Sequence, residues 1–538
     1  MKFKKISFSA LFVAAMLMLS ALLGSCLDKK PTFDTPVEYA RYVEKQEINS
    51  TTHEIMKYYN NIVSESGKAV SGNVEIDIDI SDNALALIEL AARSSGTDID
   101  LSWLSNISLD GSVYTSDNLM SLDLMLGLGD ADILGIASVF DYENGASYLT
   151  LSDIMSKYLK VDFASALEGA DDSIVIPEYD FSKLPSSTAI EALLNKYVGI
   201  IVDGIKTAER SSGTLTANGV EENCEVVKIT ITANDAKDIA LAVLGEVKKD
   251  EGLKKAIVDI CAWIGDIASQ YGEEFTSGEE AYAELCKMAD EAIAELGEFD
   301  AEESEEVLVI TDYVNDDLEV IGRDISFDGE NIITYGYASN NKNFGFEMSV
   351  DGEKIAEGTG TEGDKLNGEF TFYTYDHYDG GKTESALLVS VKDFDMKKLD
   401  KGYISGIIDI SLDGLSEDFG DAVVSSILSN YSIRLELDQK DENNGKIALG
   451  LVSGEEYFVK FTIGAATGKG MAPSIPSDDN VISVPIDGMD DATSQALGLE
   501  IIKSVDFNAL MENLENSPVP KEYVDIIRQY VALFSMIG

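Results

Sequence analysis

From Glu305 to Phe394 the chain is an alternation of apolar and polar residues interrupted by turns, and this pattern restricts the fold more than any other feature. "VLVITDY", "LEVIGRDISF", "NIITYGYAS", "FGFEMSV", "EKIAEG", "GEFTFYTYD" and "ALLVSVKDF" follow one another too closely for crossover helices between them. Asp328-Gly329 and Asp351-Gly352 supply the dipeptide that a two-residue hairpin requires. Successive runs are therefore expected to pair antiparallel. The passage 107–151 behaves in the same way, with turn signals at Asp110-Gly111, Ser116-Asp117-Asn118, Gly129-Asp130 and Asn144-Gly145. Further strands are expected in "NVEIDIDI" (73–80), around Asn218-Gly219, and at 403–412, 432–438, 446–452 and 456–463.

Helix signals separate these sheets. Thr35 to Glu38 and Thr51 to Glu54 each place a threonine three residues before a glutamate, predicting helices over 36–47 and 51–64. "NALALIELAAR" is helical in pattern, as are 187–206, 234–248, 251–271, 278–296, 421–428, 491–515 and 520–537. The order of helices, strands, helices, strands and helices predicts an α+β fold, with antiparallel β-meanders forming a curved sheet or half-barrel packed with helices. The expected regions are 35–300 (α+β), 301–465 (meander) and 466–538, where "GKGMAPSIPSDDN" serves as a linker before terminal helices.

Residues 1–34 have another purpose. Lys2, Lys4 and Lys5 precede an apolar stretch from Ile6 to Leu23, and "LGSC" ends it at Cys26, after which the chain turns polar at once. Leu23, Ser25 and Cys26 resemble the lipobox of bacterial lipoproteins; Gly24 stands where alanine or serine is commoner. The resemblance implies a signal peptide over 1–25, a lipid on Cys26 and a tether over 26–34. The protein is then expected to be exported and held on the bacterial cell membrane by its N-terminal lipid.

Composition removes several functions. Asp and Glu number 97 against 40 Lys and Arg, and loss of the signal peptide's lysines takes the formal charge from −57 to −60. Nucleic acid, which needs cationic partners, is excluded. No CxxC pair exists, and the 2 histidines, His53 and His377, are read as a surface helix residue and a hairpin-tip residue. "HEIMK" from His53 lacks the second histidine of a zinc-protease motif. "GTGTEG" (358–363) is followed by a strand pattern, so it is read as a hairpin loop and not as a dinucleotide site. Acidic groupings occur at Asp312, Asn315, Asp316 and Asp317; at Asp438, Asp441, Glu442 and Asn443; and at Asp487, Asp490 and Asp491. Neither a metal nor a cofactor is expected, and calcium at these turns is left open. Cys261 and Cys286 fall on apolar faces of two consecutive helices, where they either meet as a disulfide or remain separate core thiols.

"NGASYLTLSDIMSKYLKVDF" and "LTANGVEENCEVVKITITANDAKDIALAVLGEVKKDEGLKKAI" resemble a group of bacterial lipoproteins without assigned function. More distantly, the meander with packed helices is similar to LolA- and LprG-type lipoprotein carriers. That resemblance implies a curved half-barrel closed by helices around acyl chains. The expected function is accordingly non-enzymatic: a lipid-anchored envelope protein that binds an apolar small molecule. The alternatives are a surface adhesion, carbohydrate- or protein-binding lipoprotein, and a carboxylate-dependent hydrolase.

Overall fold

The computed structural model describes residues 31–65, 70–97, 99–116, 118–163, 180–298, 306–378, 381–399, 401–412, 429–441, 443–468, 472–485 and 490–537. Cys26, the signal peptide, most of the tether and the helix expected at 421–428 lie outside them. Contacts divide the chain into two compact units, each drawn from two stretches: 1–66 with 175–386, and 67–174 with 387–538. This division cuts across the consecutive regions read from the sequence, because strand partners come from opposite ends of the chain.

Along the chain the elements are α1 (Pro36–Glu65), β1 (Val70–Ile80), α2 (Asp82–Ser94), β2 (Asn106–Thr115), β3 (Leu119–Leu128), β4 (Ala131–Asp141), β5 (Ala146–Thr150) and β6 (Tyr158–Asp162). Next come α3 (Ser187–Asp203), β7 (Thr207–Ala217), β8 (Val220–Thr232), α4 (Ala233–Val247), α5 (Glu251–Gln270) and α6 (Gly278–Glu298). The meander is β9 (Glu306–Val314), β10 (Val320–Phe327), β11 (Glu330–Asn340), β12 (Asn343–Val350), β13 (Glu353–Thr361), β14 (Lys365–Tyr378) and β15 (Gly381–Asp395). The remainder is β16 (Ser405–Ser411), β17 (Ser432–Asp441), β18 (Asn444–Ser453), β19 (Glu456–Gly468), β20 (Val481–Val484), α7 (Asp491–Ser504), α8 (Phe507–Glu515) and α9 (Lys521–Ile537). The α+β class with dominant antiparallel pairing is as expected.

In the first unit β7 to β14 pair in sequence order, each antiparallel to the next. Asn218-Gly219, Asp328-Gly329 and Asp351-Gly352 make the hairpins, all with positive φ. The β7–β8 hairpin folds back over β11 and β12: Leu215, Ala217 and Cys224 bury against Ile321 and Ala338. A Cβ on Gly345 would stand 2.0 Å from the Ala217 carbonyl, so this crossing needs glycine there. Helices α1 and α3 cover the other end through Tyr39, Val43 and Val202, packed with Val227, Ile229 and Val314.

In the second unit β16 to β19 pair in order, β19 pairs with β1, and β1 continues through β2, β3, β4 and β5 to β6, all antiparallel. β20 then adds parallel to β6. That strand was not anticipated in the segment after the linker.

Other local expectations are revised. α1 is one helix, not two, because the Thr51 hydroxyl donates back to the Glu47 carbonyl within the helix and does not cap a new one. Asp110-Gly111 lies inside β2 and makes no turn; Gly111 lets the Asp123 carbonyl of β3 approach closely. The helix expected at 491–515 breaks at Val505, where Asp506 donates its N–H to the Ile154 carbonyl and caps α8 at Asn508 and Ala509. Gly358 and Gly360 sit within β13, so the loop of that hairpin is shorter than "GTGTEG" suggested.

Candidate functional site

From β17 through β19 and β1 to β2 the second unit's sheet separates an apolar face from a polar one, and the period of two is the cause. One face carries aliphatic rows in register. Leu437, Ile447, Ile463, Ile76, Leu109 and Leu126 form one row from β17 to β3; Leu435, Leu449, Phe461, Ile78, Ile107 and Leu128 form the next. At the β2–β4 end Met511, Leu514 and Val524 of α8 and α9 close over Ile107, Leu128 and Leu134. At the β17–β19 end the rows stay open: Ile447 is 51% exposed, Leu449 48%, Ile463 41% and Phe461 37%, with Ile433 beside them at 36%. Helix α2 adds Leu87, Ile88 and Leu90 as exposed apolar side chains in the same unit.

The opposite face is polar and ion-paired. Arg434 (β17) is 3% exposed and grips Asp409 (β16) with two bonds of 2.7 and 2.9 Å. Burial works to raise the Asp409 carboxyl, but the bonds from Arg434 and Lys392 outweigh it and hold it below the usual carboxylate range. Lys446 (β18) reaches across Gly464 (β19) to Glu75 (β1) at 2.7 Å. Glu75 stands directly opposite Asp110 on β2, and Asp77 follows on the same face. These three carboxylates offer oxygens within 4.8 Å of one another. Burial, then repulsion by Glu75 and Asp110, pushes the Asp77 carboxyl up.

Beside this cluster the polar face encloses a cavity of about 650 Å³, open to solvent. Register puts Asn73, Ser112, Asp123 and Ala137 in one row of its wall, and Ser71, Tyr114, Ser121 and Val139 in another. Tyr158 of β6, packed with Val139 and Tyr148, forms the far side, and Pro473 and Ser474 of the linker complete the rim. The wall runs from β19 to β6, six strand spacings of about 4.8 Å, or roughly 29 Å on a flat sheet. A volume near 650 Å³ touches both ends only if the sheet curls around it. The curved sheet expected from the sequence is therefore present in this unit, and the cavity in its curl has a hydroxyl-rich wall.

The residues singled out in the sequence are dispersed. His53 is exposed on α1, its Nδ1 4.0 Å from Glu191. His377 lies on β14 and its side chain is outside the described set. Asp312 is completely buried and bound by Arg323. Asn315 closes its own turn by accepting from the Asp317 and Glu319 N–H groups. Asp441 accepts from the Asn443 N–H and the Asn444 side chain, while Asp490 caps α7 at Thr493. Glu442 and Asp487 lie outside the described residues. Cys261 on α5 and Cys286 on α6 are free thiols, both half-buried. Of the two arrangements left open for them, the structure contains the unbridged one. The Glu75–Asp77–Asp110 cluster and the cavity wall were missed because each is assembled across strands; the sole local signal was the acidic alternation of "NVEIDIDI". No protein-family model, curated protein or solved structure matches this chain.

Proposed function

We propose that this protein is a lipid-anchored, exported, non-enzymatic binding protein, tethered through Cys26, whose second unit holds an acyl chain on the open aliphatic rows of β17–β19. The observation that carries the reading is the group Ile433, Ile447, Leu449, Phe461 and Ile463, exposed and contiguous over three paired strands. A soluble protein seldom leaves such a patch without an occupant. Its aliphatic make-up suits a hydrocarbon chain better than a protein partner, whose hot spots favour Trp, Tyr and Arg. Covering these half-exposed side chains contributes about 1 kcal/mol each, and every ligand methylene about 0.8 kcal/mol more.

The test is displacement of a fluorescent fatty acid from the purified full chain, together with solvent extraction of lipid that co-purifies. Wild type is expected to bind, and Leu449→Asp and Ile463→Asp to weaken binding at least tenfold with unchanged circular dichroism. No extractable lipid and no displacement, or equal binding by both variants, refutes the acyl-chain site.

A further inference from the structure

The cavity on the polar face is a different kind of site. We infer that it binds a saccharide lacking anionic groups, held by the strand-borne hydroxyl and amide side chains of its wall together with Tyr114 and Tyr158. Three observations on its wall lead there.

The first is unused hydrogen-bonding capacity. Among the described residues, the side chains of Asn73, Ser112, Ser121 and Asp123 have no intramolecular partner; Asn73, Ser112 and Asp123 are open to solvent and Ser121 is half-buried, side by side on three paired strands. Such a row presents donors and acceptors together, the mixture that a ring bearing several hydroxyls satisfies. Asp123 can accept from two neighbouring hydroxyls at once. An apolar ligand in the same place would leave these groups without water or partner.

The second is charge. No lysine, arginine or histidine lines the cavity, and Asp123 is its one carboxylate among the described residues. Glu75, Asp77 and Asp110 continue the same face immediately beyond it. A phosphorylated, sulfated or uronate ligand meets a net negative wall with no cation in its lining, whereas uncharged and amino sugars carry no like charge against it.

The third is the pair of aromatic walls. Tyr114 on β2 and Tyr158 on β6 are half-buried, line the same cavity and stand four strand spacings apart in the sheet. An aromatic ring offers an apolar face to the C–H side of a sugar while the hydroxyls turn toward the serines. A few convergent polar groups between apolar walls in a concave space of several hundred Å³ is the usual form of a small-ligand site.

This inference does not depend on the acyl-chain reading, since the two sites use opposite faces of the sheet and different probes. It is tested by affinity electrophoresis of the full chain through gels containing a neutral glucan, a mannan, a soluble chitin derivative or polygalacturonate. Isothermal titration with the matching oligosaccharides follows. At least one uncharged or amino polysaccharide is expected to retard the protein, and polygalacturonate is not. Asp123→Asn and Tyr114→Ala are expected to weaken the matching oligosaccharide at least tenfold, with circular dichroism and fatty-acid displacement unchanged. Absence of retardation and titration signal with every non-anionic probe overturns the inference, as does equal binding by both variants or stronger binding of polygalacturonate.

Discussion

Substitution of Glu44 by glutamine should make the first unit more stable in mild alkali while leaving it nearly unchanged at pH 5. Glu44 on α1 is 6% exposed and lies 2.9 Å from Arg323 of β10, which also binds Asp312 of β9 at 2.6 Å. One cation therefore faces two buried carboxyl groups, with Glu47 and Glu319 adding further negative charge nearby. Burial pushes the Glu44 carboxyl up to about 8; Arg323 opposes the rise and Asp312 adds to it. Glu44 is therefore expected to keep its proton at neutral pH, and a protonated carboxyl can donate to Asp312, whose Oδ2 has no other partner. The unfolded chain loses that proton near pH 4.3. Since the folded value is the raised one, the stabilisation is complete below the unfolded value and declines as pH rises toward 8. At about 1.4 kcal/mol per pH unit the decline is on the order of 5 kcal/mol. Glutamine has nearly the same shape, donates to Asp312 through its amide and does not ionise. Urea unfolding followed by Trp263 fluorescence, in a Trp103→Phe background, reads the first unit alone. The variant should lie within about 1 kcal/mol of wild type at pH 5 and exceed it by roughly 5 kcal/mol at pH 8.5. Parallel pH profiles for the two proteins, or a less stable variant at pH 8.5, would refute the shared-proton arrangement.

Cys26→Ser should release the protein from membranes or block its maturation, as seen by fractionation and by the mobility of the product; normal retention would remove the lipoprotein reading. Gly345→Ala should destabilise the first unit by about 2–3 kcal/mol in the Trp263-monitored urea transition, because the added methyl meets the Ala217 carbonyl. Arg434→Met should cost the second unit about 3 kcal/mol at pH 7 by freeing Asp409 from its two bonds, read through Trp103 fluorescence. Because Asp409 is held below its ordinary value, that difference should be present above pH 4 and shrink as acid protonates it. Alkylation of the unreduced, denatured chain should label Cys224, Cys261 and Cys286 alike; a product with only Cys224 labelled would mean a Cys261–Cys286 bridge.

Much of this protein was legible in its sequence because the signals were local. Alternation in "NVEIDIDI" and in the 305–394 meander made strands, and Asn218-Gly219, Asp328-Gly329 and Asp351-Gly352 made tight turns, since positive φ is a property of those residues themselves. α6 likewise opened at 278 as its helical pattern predicted, with Ser277 and Glu280 capping it through reciprocal bonds. The sequence also determined that strands such as β1, β2 and β17 of the second unit have an apolar and a polar face. Which strands would be neighbours was decided only by the tertiary structure. β1 pairs with β19 across most of the chain's length, and only that pairing sets Ile76 and Ile78 beside Ile463 and Phe461 and brings Lys446 to Glu75. Asp110-Gly111 reads as a turn in isolation but lies inside β2, because pairing with β1 on one side and β3 on the other outweighs a weak local preference. The cavity is the extreme case, since its wall comes from strands that meet only when the sheet curls. Local propensity acts over a few residues, whereas register and curvature come from the whole sheet burying its apolar face at once.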